Sequence, residues 1–150
     1  MPDAYDGLGE WVERHLAGRL QLHPRAARGL KHARFQDVAL VYRAFLALAR
    51  EYRDMRLPAP EDRKPKLAWD AKLAELGVSF DGSITETGAG QQGDTYFVTY
   101  PPGRRFLDSH LRKGKAKDDE LCLAIYFFWD DEKREVVVGW LPSHLDNRMT

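Results

Sequence analysis

The sequence predicts an α+β protein, with a helical amino-terminal half packed on a four-stranded antiparallel sheet in the order α-α-α-α-β-β-α-β-β. Two observations carry this. Apolar residues recur at three- and four-residue steps through the first half, which is the helical period. After Gly77 the period falls to two, the signature of strands with alternating faces.

The elements follow in order. Leu8, Trp11, Val12, Leu16 and Leu20 share one helix face. Pro24 suits the first position of a second, short helix, where its missing N–H costs nothing, with Leu30 and Ala33 as its inner side. Asp37 is an N-cap for the strongest helix, whose stripe is Val38, Val41, Phe45, Leu48, Tyr52 and Met55. Leu57-Pro58 ends it, because the residue before proline avoids helical angles. Residues 58–66 hold three prolines among charges and read as a linker between a helical segment, 1–57, and a sheet region, 67–150. The two parts are expected to form one compact domain. Lys66 to Leu76 is a further helix, with Trp69, Leu73 and Leu76 on one face and Gly77 as its C-terminal cap.

Val78, Phe80 and Ile84 alternate with polar residues as in a half-buried strand. Residues 95–100 have strong strand propensity, and Pro101-Pro102-Gly103 breaks them. Phe106, Leu107, His110 and Leu111 suggest a short amphipathic helix over 105–113, closed by Gly114. Leu121 to Trp129 and Glu135 to Leu141 are apolar on both faces, as inner strands would be. Both faces of the sheet therefore need covers, expected to be the short helix near 105–113 and the long one at 37–56.

The 150 residues carry 23 Lys+Arg against 23 Asp+Glu, which excludes a uniformly basic nucleic-acid coat. The balance hides two basic islands: residues 14–34 hold Arg14, Arg19, Arg25, Arg28, Lys31 and Arg34 with no acid, and 104–117 hold six bases against Asp108. The single cysteine, Cys122, excludes an internal disulfide and a cysteine-based zinc cluster, and its place on an inner strand reads as a small buried hydrophobe. No apolar run approaches the ~20 residues that span a bilayer, and the start is acidic where a signal peptide is basic. The expectation is a cytoplasmic protein without membrane contact.

Gly88-Ala89-Gly90-Gln91-Gln92-Gly93 spells G-x-G-x-x-G, but a strand follows where a dinucleotide site needs a helix, so the segment reads as a hairpin loop. Asp130-Asp131-Glu132 reads as a solvated turn rather than a metal site, since adjacent turn residues point apart. The five histidines show no H-x3-H or H-E-x-x-H spacing; no metal and no cofactor are expected. Ser143 and His144 are adjacent and cannot converge as a nucleophile and base.

His110 and His144 flank the last two strands and have cations nearby. Metal-free RNA cleavage needs a base for the 2′-OH, an acid for the leaving oxygen and cations on the phosphate. His110, His144 and Lys113 are the candidate catalytic residues; Arg104, Arg105, Arg112, Lys115, Lys117 and Arg148 are candidate nucleic-acid contacts through backbone phosphate. The alternative is that these are ordinary solvated charges.

Residues Cys122-Leu123-Ala124-Ile125-Tyr126-Phe127-Phe128-Trp129-Asp130, the Val136-Val137-Val138 strand and His144 resemble an uncharacterised bacterial family ending in IYFFWD…VVVG.LPSHL. The stretch 105–148 more distantly resembles the last hairpin of RelE/HigB-type ribonuclease toxins, which pair a basic approach with a strand and end on a catalytic or phosphate-contacting His or Tyr. Where those toxins often carry an Arg on the strand, this chain has Ala124, and its helical first half has no counterpart in them. The resemblance implies, if the chain is an enzyme, a metal-independent endoribonuclease. The expected function is a small cytoplasmic interaction or nucleic-acid-associated accessory protein of a bacterial defence or toxin–antitoxin system, with the ribonuclease as the alternative. Its partners would be another protein, a second copy of itself, or an RNA or DNA backbone.

Overall fold

The structure is a computed structural model that describes residues 4–60, 62–83, 87, 94–114 and 118–145. It is α+β, with a five-stranded mixed sheet and a separate two-stranded hairpin. This corrects the expected four-stranded antiparallel sheet.

Helix α1 spans Leu8–His15. It stops short of Leu20, because Gly18 takes a left-handed φ of 82° and turns the chain. Leu20–Leu22 then forms β1, which no alternation signalled because it is only three residues long. Helix α2, Pro24–Gly29, starts as the proline predicts: His23 Nδ1 caps it by accepting from the Arg25 amide at 3.0 Å. Its buried side is Ala26 and Gly29 rather than Leu30 and Ala33. Helix α3, Val38–Ala47, is capped by Asp37 Oδ1 accepting from Leu40 N at 3.1 Å. It runs through a π-helical turn, Leu48–Tyr52, into α4, Arg53–Arg56, and ends before Pro58. Helix α5, Pro65–Leu76, closes on Gly77 at φ 70°. It begins inside the expected linker, because Pro65 serves as its first residue.

The remaining strands are β2 (Ser79–Gly82), β3 (Phe97–Tyr100), β4 (Gly103–Phe106), β5 (Ser109–Lys113), β6 (Leu123–Asp130) and β7 (Glu135–Trp140). The main sheet has the order β1-β7-β6-β5-β2. Strand β1 runs parallel to β7; the other pairs are antiparallel. The expected helix over 105–113 is absent, and two strands stand in its place. The physical reason lies in Leu107 and Leu111. Four residues apart, they would share a helix face, yet they are buried in opposite apolar clusters. A single strand would keep them on one face as well; the chain instead breaks at Leu107-Asp108, which leaves Leu107 with the β3–β4 hairpin and Leu111 on β5 of the main sheet.

The two faces of the sheet are covered differently. Leu111, Leu123, Ile125, Phe127, Trp129, Val136 and Val138 point into one cluster with α1, α3 and α5, through Leu8, Val12, Val41, Phe45 and Trp69. Tyr52 is its hinge, with edge-on contacts to Trp69 and Phe127 at 5.3 and 5.2 Å. Ala124, Tyr126, Phe128 and Val137 point the other way, under Tyr96, Val98, Leu107 and Leu145. That second cover is the β3–β4 hairpin and the segment after β7, not a helix.

Candidate functional site

Strand β5 lies between β2 and β6. His110 stands opposite Asp81 on one side and Tyr126 on the other, and Arg112 opposite Ser79 and Ala124. Since Leu111 enters the helical cluster, alternation turns His110 and Arg112 to the hairpin face. His110 is only 7% exposed, and its ring stacks on Tyr126 with centroids 5.3 Å apart and planes 28° from parallel. Its Nδ1 is buried and has no hydrogen-bond partner among the described residues.

The segment after β7 crosses this face. Leu145 N donates to the Tyr126 hydroxyl at 3.2 Å, and the Tyr96 hydroxyl donates to Leu145 O at 3.4 Å. Trp140 Nε1 donates to Ser143 O at 2.9 Å. These bonds hold the exposed His144 between two anchored residues. Burial first, then the charge of Arg112, pushes both imidazoles below their ordinary value. Asp81 opposes this at His110 and Asp119 at His144, while His144 itself adds to the depression at His110. Burial pushes the Tyr126 phenol up to about 12, so it keeps its proton near neutrality. The arrangement is two imidazoles, biased toward their neutral forms, sharing one exposed guanidinium.

The other sequence-predicted residues lie elsewhere. Lys113 is exposed, and alternation puts it on the helical side of β5, away from His110. Arg104 pairs with Asp94 at 3.1 Å and lies 3.9 Å above the Phe97 ring. Arg105 donates to Trp129 O at 3.1 Å and lies 4.3 Å above the Phe128 ring. Arg105 thereby fastens the hairpin to the sheet, roughly 13 Å along β6 from the Ala124 position that faces Arg112, at 3.3 Å per residue. Lys115, Lys117, Arg148 and the glycine segment 88–93 lie outside the described residues.

The acidic turn also differs in part from the reading as a solvated turn. Asp131 and Glu132 are exposed, but Asp130 is 5% exposed. Its carboxylate accepts from the Tyr100 hydroxyl at 2.6 Å and from the Glu132 and Lys133 amides at 3.0 Å. Gln21 Nε2 extends the network, donating to Glu135 Oε1 at 2.7 Å and to the Tyr100 hydroxyl at 3.1 Å. Burial would raise the Asp130 carboxyl, but the hydrogen bonds from Tyr100, Lys133 and Glu132, together with the charge of Arg105, outweigh it and hold it below the usual range. This is a structural clamp joining hairpin, sheet and β1. Among the described residues, no three His, Cys, Asp or Glu side chains converge as metal ligands. Among them, too, no helix is long and apolar enough to cross a membrane.

Sequence reasoning missed Tyr126, which read as one more core aromatic. Its alternation with Ala124 and Phe128 fixes its face, but not its contact with His110 or Leu145. It also missed the cleft between α2 and β3 described below. Comparison of the chain with protein-family models, with curated proteins and with solved structures finds no match.

Proposed function

We propose that this chain is a nucleic-acid-associated protein that holds an RNA backbone phosphate at Arg112, between His110 and His144. The single observation behind this is that His110 and Arg112 share one face of β5, with His110 stacked on Tyr126, whose hydroxyl holds Leu145 N next to the exposed His144. A guanidinium offers paired donors to phosphate oxygens, and the contact is indifferent to base sequence. The reading as a protein-interaction module has less support. Such a module needs an exposed apolar patch, but among the described residues the large apolar side chains left exposed are Leu67, on α5, and Leu121, in the turn before β6, 61% each.

The pair of imidazoles favours a second reading, metal-independent cleavage. The neutral His110 would take the 2′-OH proton as that oxygen attacks phosphorus. The P–O5′ bond then breaks, a protonated His144 gives its proton to the leaving oxygen, and a 2′,3′-cyclic phosphate remains. The likeness of the last hairpin to RelE/HigB-type toxins points the same way, and is the ground for a place in a bacterial defence or toxin–antitoxin system.

The test is fluorescence anisotropy with a labelled single-stranded RNA in EDTA, with the same mixtures run on a denaturing gel between pH 5 and 8. Arg112→Ala should weaken binding about tenfold, the worth of one charge-assisted contact. Equal affinity for wild type and Arg112→Ala removes the proposal. Intact RNA at every pH removes cleavage and leaves binding.

A further inference from the structure

A cleft of about 790 Å³ opens between α2 and β3, lined in part by His23, Arg25, Arg28, Asp94, Phe97 and Thr99. Its charge is unbalanced. Asp94 is already paired with Arg104 at 3.1 Å. Arg25 is half-buried; it donates to Phe97 O at 3.1 Å and lies 5.2 Å from the centroid of the Trp140 ring. Arg28, one helical turn on, is exposed and makes no hydrogen bond or ion pair with the described residues. His23 is fixed as well: Nδ1 accepts from Arg25 N, so the proton is on Nε2, which donates to Thr99 O at 2.7 Å. Two guanidiniums thus face one concave wall, with their nearest carboxylate committed elsewhere. Burial, and then the charge of Arg28, destabilises the Arg25 cation, and the Asp94 carboxylate offsets only part of this.

A series of contacts through Trp140 links Arg25 of the cleft to the histidine cluster. That ring lies under Arg25, its Nε1 holds Ser143 O next to His144, and β7 sets it opposite Tyr126, on which His110 stacks. Two strand spacings and the 5.2 Å ring contact put the Arg25 guanidinium roughly 15 Å from His110.

We infer that the Arg25–Arg28 cleft is a second phosphate subsite, taking the backbone of the same single RNA strand a few nucleotides from the phosphate at Arg112. This rests on the RNA reading above. Arg25 supplies the fixed, partly desolvated cation, and Arg28 the free one that closes on the phosphate. The contact is to backbone oxygens, so it adds affinity and length dependence without base preference.

The experiment measures binding of a dinucleotide and a 12-nucleotide single strand over a salt series, for wild type, Arg28→Glu, Arg28→Lys and Arg112→Ala. Circular dichroism confirms the fold of each. Arg28→Glu should weaken the 12-mer about tenfold or more, lower its log–log salt slope by about one, and leave the dinucleotide unchanged. Arg28→Lys should restore most of the loss. Arg112→Ala should weaken both ligands. If Arg28→Glu binds the 12-mer like wild type while Arg112→Ala does not, the cleft inference is overturned and the RNA reading stands. If Arg112→Ala changes neither ligand while Arg28→Glu weakens the 12-mer, the histidine-site reading fails and the cleft remains. If pyrophosphate or ATP binds wild type as tightly as the 12-mer, and Arg28→Glu abolishes it, the cleft is a nucleotide site and the strand inference is overturned.

Discussion

Replacing Gly139 with alanine tests whether the hairpin is packed on the sheet as tightly as the site requires. Tyr126 pairs with Trp140 and Phe127 with Val138, so Gly139 is the extra residue of a β-bulge. A Cβ there would collide with Leu107 Cδ2 and lie 3.0 Å from Leu107 Cδ1 and 3.1 Å from Val98 Cγ1. Leu107 is fully buried, and its amide is bound to Tyr96 O at 2.8 Å, so neither side chain nor backbone can retreat freely. Overpacking of this kind costs about 1–3 kcal/mol. The Gly139 φ is not in the left-handed region, so alanine also gains roughly 0.4–1 kcal/mol by restricting the unfolded chain. The middle of each range, about 2 against about 0.7 kcal/mol, gives a net loss of about 1.3 kcal/mol, a drop in Tm of roughly 3–5 °C for a domain of this size. Urea melts read by far-UV circular dichroism give the number. Gly9→Ala is the matched control: nothing lies within 4 Å of its Cβ, so it should stabilise α1 by up to about 1 kcal/mol. A Gly139→Ala protein as stable as wild type would mean that Leu107 moves aside cheaply, and that the hairpin does not close the second face.

Three further outcomes follow from the same packing. Asp130→Ala leaves the Tyr100 hydroxyl and two turn amides without their acceptor and should cost about 3 kcal/mol in a urea melt; a loss under about 1 kcal/mol would show that the clamp is solvated. Tyr126→Phe keeps the ring against His110 but removes the acceptor of Leu145 N–H. It should cost about 1–2 kcal/mol and let the His144 imidazole rise toward its ordinary value in an NMR titration; an unmoved His144 would deny Tyr126 its positioning role. Both imidazoles are depressed in the fold, so the unfolded chain binds protons first as the medium acidifies. Their stability contribution is complete above about pH 6.5, the unfolded value, and is lost as pH falls through the folded values. His110→Asn should flatten that part of the stability–pH curve, and an unchanged curve would show that burial does not bias the imidazole.

Much of the architecture can be read from residue order, because the signals there are local. Asp37, Pro24, Pro65 and Gly77 act through the backbone of their own helix ends, and each does what its chemistry requires. The failures are all non-local. Nothing in Leu20-Gln21-Leu22 says that it will pair in parallel with Val136-Val137-Val138, more than a hundred residues on. The spacing of Phe106, Leu107, His110 and Leu111 fits a helix as well as two strands, and only the need for β5 to bridge β2 and β6 decides. The site divides in the same way. His110, Arg112 and His144 were legible as candidate chemistry, and the fold sets His110 and Arg112 on one face of β5, with His144 in the segment tied to Tyr126 through Leu145. Lys113 was lost to strand alternation, and Arg104 and Arg105 to contacts with Asp94, Phe97 and Phe128 that sequence cannot reveal.

The position of the histidine cluster follows from how the second face is covered. The hairpin shields Phe128 and Val137, and the segment ending at Leu145 shields Tyr126. Neither replaces the polar side chains on β5, so His110 and Arg112 stand at the border of the apolar cover. A residue chosen only for packing there would be apolar, since an unpartnered buried nitrogen costs about 1–3 kcal/mol. Glu51 Oε2, Trp69 Nε1 and His110 Nδ1 are the buried side-chain polar atoms without partners among the described residues. Trp69 is repaid by its ring, fully buried against Tyr52 and Phe80. Glu51 has its other oxygen 3.7 Å from Lys72. His110 has the stack on Tyr126, which phenylalanine would make equally well, and it has Arg112 and His144, which phenylalanine could not use. The unpartnered Nδ1 is thus a cost to the fold, and the phosphate site proposed at Arg112 is the use that would offset it.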